Sequence, residues 1–158
     1  MKQHSHNISY TVYQSLEELP QEIREQFLIL EKKVKDAYAP YSEFKVAAAV
    51  KLDNKQWVYG TNQENAAYPS GLCAERVALF YAKSEYPDAD VDTLLIITDK
   101  PFEMPCSPCG ACRQVISEYE FNQTKEINLY LYSHHQVWFF PSATSLLPFV
   151  FSSESLKK

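Results

Sequence analysis

Residues 92–132 read DTLLIITDKPFEMPCSPCGACRQVISEYEFNQTKEINLYLY. The apolar run at 92–98 predicts a buried strand, and INLYLY at 127–132 predicts another. Between them a turn-rich segment leads into a helical pattern over 109–120. Strand, helix and strand in that order predict a parallel pair joined by a crossover. Working outward, LCAERVALFYAK at 72–83 reads as a second helix. FKVAAAVKL at 44–52 and QWVYGTN at 56–62 read as a hairpin turning at Asp53–Asn54. Further upstream, Ile23, Phe27, Leu30 and Val34 recur at helical spacing, predicting a helix over 16–38 with Pro20 in its first turn. Downstream, VWFF at 137–140 predicts an edge or interface strand, and TSLLPFVF closes the domain. The element order α-β-β-α-β-α-β-β predicts an α/β fold, a single mixed sheet of about five strands covered by helices. One domain spans 1–158, with 1–15 a poorly ordered extension.

Composition narrows the function. A net charge of −5 weighs against nucleic acid as a partner. No apolar run approaches the roughly 20 residues of a membrane span, so no membrane partner is expected. The start, MKQHSHNISY, lacks the apolar stretch of a secretory signal, which predicts a cytoplasmic protein with reduced thiols. Clustered cysteines then read as metal ligands or catalytic groups.

Three of the four cysteines, Cys106, Cys109 and Cys112, fall within seven positions as two overlapping C-x-x-C pairs. Serine at 107 and proline at 108 suit a helix cap and first position, placing Cys109 in the first turn and Cys112 one turn later on the same face. Ser70-Gly71 place Cys73 likewise at the start of its own helix. Helix N-termini favour thiolate. Three thiolates leave one zinc position open for water, the pattern of a catalytic site; a closed structural site would need Cys106 as a fourth ligand. Glu75 and Arg76 share the helix of Cys73. A carboxylate there could handle protons, and a cation could offset the thiolate charge. Only Gly60, Gly71 and Gly110 are glycines, and two flank cysteines, suggesting close backbone approach there. His4, His6, His134 and His135 lie in predicted mobile or turn segments and are poor ligand candidates.

CAER at 73–76 with PCGACRQ at 108–114 closely resembles the small, free-nucleoside cytidine deaminases. The resemblance extends to AYAPYSEFKVAAAV (37–50), NQENAAYPSGLCAERVAL (62–79), SPCGACRQVISE (107–118) and LLPFVFSSESL (146–156). It implies a three-layer α/β/α fold and a Zn2+ ion held by Cys73, Cys109 and Cys112, with Cys106 outside the ligand set. It implies hydrolytic deamination of cytidine and deoxycytidine to uridine and deoxyuridine, in pyrimidine salvage. Glu75 would be the catalytic acid and base, protonating cytosine N3 and then the departing amine, a role this class of zinc deaminase gives to a glutamate outside the ligand set. Arg76 would temper the thiolate charge, and Arg113 and Gln114 would support the site. Asn62 and Glu64 would hold a ribose hydroxyl, Phe44 would pack on the pyrimidine, and Ala66 and Tyr68 would line the pocket. A homotetramer, at least a homodimer, is implied, with Phe151 reaching a neighbour's site. The chain departs from the family pattern at Ala47 and Phe149, where glycine is usual. Two other readings compete: a deaminase of modified nucleosides such as blasticidin, and a zinc module in which the metal only staples the fold.

Overall fold

The computed structural model describes residues 1–156. Six strands form one mixed sheet in the order β1-β6-β5-β4-β2-β3. They are β1 (Thr11–Tyr13), β2 (Val46–Leu52), β3 (Trp57–Thr61), β4 (Val91–Thr98), β5 (Asn128–Tyr132) and β6 (Val137–Phe140). β4 and β5 are the parallel pair, with Leu95 opposite Tyr130, and every other neighbour is antiparallel. The crossover between β4 and β5 carries α3 (Gly110–Phe121), while α2 (Ala74–Glu85) joins β3 to β4 and α1 (Gln21–Lys33) precedes the sheet.

The period-two alternation of strands sorts the sheet's side chains onto two faces. Ala48 and Val50 of β2, with Leu94 and Ile96 of β4, pack in a cluster with Ala78 and Leu79 of α2 and Ile116 of α3. Ala47, Ala49, Leu95 and Ile97 point the other way, into a cluster with Ile23, Phe27 and Leu30 of α1. The fold is therefore three layers, α1 on one face and α2 with α3 on the other. The small side chains of AAA at 47–49 let helices approach both faces of β2. Ala47 is fully buried, with its methyl group absorbed between α1 and the sheet.

Four details differ from the sequence-based expectations. Thr11–Tyr13, within the stretch expected to be poorly ordered, forms an edge strand on β6. Tyr10 continues the contact, its ring stacked 5.3 Å from Phe140 and lying 4.9 Å from Trp138. VWFF is consequently not an edge but the second strand in. The helix expected over 16–38 is three pieces: a 3-10 turn at Leu16–Glu18, α1, and a 3-10 turn at Val34–Asp36. Pro20, with extended backbone (φ −51°, ψ 140°), caps α1 rather than lying inside it. Finally, α2 and α3 start at Ala74 and Gly110, so Cys73 and Cys109 are themselves the N-cap residues. Among the described residues no helix is long and apolar enough to cross a membrane.

Candidate active site and metal centre

The site forms where the N-termini of α2 and α3 meet. An N-cap residue has extended backbone and leaves the first helical N–H groups free. Cys73 (φ −70°, ψ 154°) and Cys109 (φ −66°, ψ 165°) both do this, without side-chain cap hydrogen bonds. Ser107, the expected cap of α3, is used otherwise: its Oγ accepts from Arg113 Nη2 at 2.9 Å. Arg113 also donates to the carbonyls of Pro108 (2.8 Å) and Leu146 (2.9 Å), tying the loop before α3 to the chain's closing segment.

What sets the position of α2 is Gly60, not the glycines beside the cysteines. A Cβ on Gly60 of β3 would lie 2.5 Å from Ala78 N and 2.7 Å from Ala74 O, so β3 and the first turns of α2 touch backbone to backbone. A Cβ on Gly110 would meet nothing within 4 Å, whereas one on Gly71 would lie 3.3 Å from Gln63 O, so the close backbone approach expected beside the cysteines holds at Gly71 only.

The sulfurs of Cys73, Cys109 and Cys112 lie within 4.8 Å of one another. Cys73 and Cys109 are 3.9 Å apart, and Cys109 and Cys112 are 3.5 Å apart. A tetrahedron of sulfurs about 2.3 Å from zinc has edges of roughly 3.8 Å, so the donor set and its spacing fit the ion. Cys106 is exposed and its Sγ points to the carbonyl of Ser107. It stands outside the cluster, which leaves the fourth-sulfur staple without its ligand.

The charges are arranged around those sulfurs. Hydrogen bonding from Cys112 holds the Cys73 thiol down to about 5 against the opposing cost of burial, with help from Arg76. Arg76 Nη2 lies 3.7 Å from Cys73 Sγ. Cys112, bonded to the negative Cys73 and buried, is pushed up. Glu75 is only 5% exposed. Burial pushes its carboxyl up, and the negative Cys73 adds to this, against the opposing pull of its own backbone N–H and of Cys112. A carboxyl group whose ionisation is opposed in this way, beside three metal-binding sulfurs, can both release and accept a proton.

A cleft of about 500 Å³ opens beside the cluster, with Cys73 and Arg76 in its wall. Three of the expected substrate residues, Asn62, Glu64 and Tyr68, line it. Asn62 uses one acceptor and one donor of its amide on the fold, accepting from Val46 N at 2.7 Å and donating to Phe44 O at 2.8 Å, which leaves a second donor and a second lone pair for a ligand. It clamps the start of β2 and thereby places Phe44. Glu64 accepts from the backbone N–H of Tyr41 at 2.8 Å and from Ser42. Phe44 is half-buried, its ring 6.0 Å from Phe102. Phe44, the exposed Ala66 and the 61%-exposed Phe151 lie outside the cleft wall of the single chain. Phe151 is held to α3 by Gln114 Nε2, which donates to its carbonyl at 2.7 Å. Phe149 stands 91% exposed, so its bulk meets no crowding within the chain. Sequence reasoning missed Tyr41 and Ser42 as cleft residues; the signal was the turn sequence APYSEF between helix and strand.

Residues 21–127 match the family described as the cytidine and deoxycytidylate deaminase zinc-binding region. A cytidine deaminase from Halalkalibacterium halodurans is 46% identical over 82 residues, 52% of this chain and 60% of the relative, so less than two thirds of that relative is spanned. One from Sporosarcina psychrophila is 43% identical over 96 residues, 60% of this chain and 68% of the relative. The crystal structure of cytidine deaminase from Burkholderia pseudomallei superposes with a TM-score of 0.64 at 34% identity, covering 78% of this chain and 98% of that one. With its tri-cysteine corner intact and most of its length matched, the chain belongs to the cytidine and deoxycytidylate deaminase family of zinc-binding hydrolases.

Proposed function

We propose that the protein hydrolyses cytidine and deoxycytidine to uridine and deoxyuridine, releasing ammonia, in cytoplasmic pyrimidine salvage. The observation that carries this is the junction of three cysteine sulfurs with a buried carboxyl group, one of the cysteines facing a nucleoside-sized cleft. Zinc held by Cys73, Cys109 and Cys112 would supply, when bound, a water acidic enough to ionise near neutral pH. Glu75 then acts on the base. It takes one proton from the attacking water and passes it to cytosine N3, drawing electron density from C4 as the water oxygen bonds there. It then carries the second proton of that water from the new C4 hydroxyl to the exocyclic amine, so that the C–N bond breaks, the C4 carbonyl forms and ammonia leaves. Arg76 partners Cys73, offsetting thiolate charge that would otherwise blunt the metal as a Lewis acid. Asn62 and Glu64 take a sugar hydroxyl and Tyr68 lines the pocket, while Phe44, held by Asn62 at the start of β2, packs on the pyrimidine once the cleft is completed.

The exposed Phe151, held against α3 by Gln114, supports a homotetrameric arrangement in which a neighbour's C-terminal segment completes each cleft. The test is zinc quantification beside a cytidine absorbance assay. One zinc per chain with conversion to uridine is expected; a zinc-loaded chain that leaves cytidine unchanged while deaminating blasticidin would move the reading to modified nucleosides.

A further inference from the structure

We infer that Ser42 is a positioning residue that aims the carboxylate of Glu64 at a donor in the cleft, the sugar hydroxyl on the reading proposed above. The two residues are 22 positions apart and both line the cleft. The Ser42 hydroxyl has a single proton and is fixed from both sides. Its oxygen accepts the backbone N–H of Phe44 at 3.0 Å, and it donates to Glu64 Oε1. Glu64 Oε2 accepts two backbone donors, Tyr41 N at 2.8 Å and Ser42 N at 3.3 Å. The backbone is tied as well, Glu64 N donating to Tyr38 O at 2.8 Å.

An ionised carboxylate offers about four acceptor directions. Three are filled here, and the remaining one is on Oε1, the oxygen whose orientation Ser42 controls. The hydrogen bond from Ser42, followed by that from the Tyr41 N–H, holds the Glu64 carboxyl below the usual carboxylate range. It is therefore an acceptor only, and the ligand atom it takes must carry a proton. A site built this way discriminates against an analogue lacking the hydroxyl. Since the sugar is remote from the breaking C–N bond, the contact is the same before and during reaction and should be read in KM.

The experiment compares the zinc-loaded wild type with Ser42→Ala and Ser42→Thr on cytidine, 2′-deoxycytidine and 3′-deoxycytidine. Ser42→Ala should raise KM for cytidine about five- to tenfold, the worth of one hydrogen bond, with kcat within about twofold. Ser42→Thr, which keeps the hydroxyl, should restore KM. The alanine penalty should vanish on whichever deoxy analogue lacks the hydroxyl that Glu64 accepts. An alanine penalty of equal size on all three substrates, or none on any, overturns the assignment of Ser42. A wild type whose KM is indifferent to both sugar hydroxyls defeats the Glu64 reading itself, and the Ser42 inference with it.

Discussion

At the scale of single residues the site depends on keeping a carboxyl group out of water. Glu75 sits in the first turn of α2, where helix N–H groups favour the anion, yet burial and the adjacent Cys73 oppose ionisation and win. Glu75→Gln keeps the shape and removes only the exchangeable proton. Turnover of cytidine should fall at least about a hundredfold, the usual contribution of a general acid and base, while zinc stays near one per chain by elemental analysis. Loss of zinc from that variant would mean that the carboxylate is a ligand. The cysteines separate in the same assay. Cys112→Ser removes a fully buried cluster sulfur and should release metal, whereas Cys106→Ser alters an exposed thiol outside the cluster and should retain it. The clustering of the three cysteines was legible in the sequence because each lies at the start of a predicted helix, where local spacing carries the geometry. Glu64 and Ser42 were not readable as a pair, since nothing local links a turn at 41–42 to a residue beyond a two-strand hairpin.

At the scale of elements, the metal corner exists only if α2 sits close on the sheet. Gly60 of β3 is the closest contact, and its neighbours are backbone atoms of α2 that cannot rotate away. Gly60→Ala should destabilise the chain by about 3 kcal/mol, the upper range for overpacking, seen as a lower urea midpoint. Because α2 carries Cys73 and Glu75, the same variant should bind zinc more weakly in a competition titration. An unchanged midpoint would show that β3 and α2 can separate at little cost. Strands β2 to β6 were readable from apolar runs, but β1 was not. Its three residues, Thr11–Tyr13, have no apolar run and are ordered by pairing with β6 and by Tyr10 lying over Trp138 and Phe140. A pairing partner more than 120 positions away leaves no periodic trace. The strand covers a hydrogen-bonding edge rich in aromatics, which makes it a guard against intermolecular pairing. Removal of residues 1–14 should leave zinc binding intact but produce larger species than the full chain by light scattering. Equal mass distributions would show that β6 is safe as an edge.

At the scale of the whole molecule, the face of the sheet under α1 carries the tyrosine that burial moves furthest from its ordinary range. The face under α2 and α3 buries mainly aliphatic residues, with Phe140 inside and Tyr86, Tyr119 and Trp138 packed against it, whereas the face under α1 includes the buried phenols Tyr130 and Tyr132. Burial pushes Tyr130 up to about 12 and raises Tyr132 in the same direction. In an unfolded chain tyrosine titrates near pH 10. Below pH 10 both states keep the phenolic proton and Tyr130 contributes no pH dependence. Between pH 10 and about 12 the unfolded chain releases a proton that the folded chain retains, so stability falls as pH rises through that window. Tyr130→Phe removes this proton and keeps the ring that stacks 4.6 Å from Phe139. Its urea midpoint should therefore decline less than that of the wild type between pH 9 and pH 11. Loss on the α1 face alone should not open the metal corner, which belongs to the opposite layer, so zinc should stay bound through the early part of the alkaline decline. Parallel declines for wild type and Tyr130→Phe would place the alkaline weakness elsewhere and remove Tyr130 from the account.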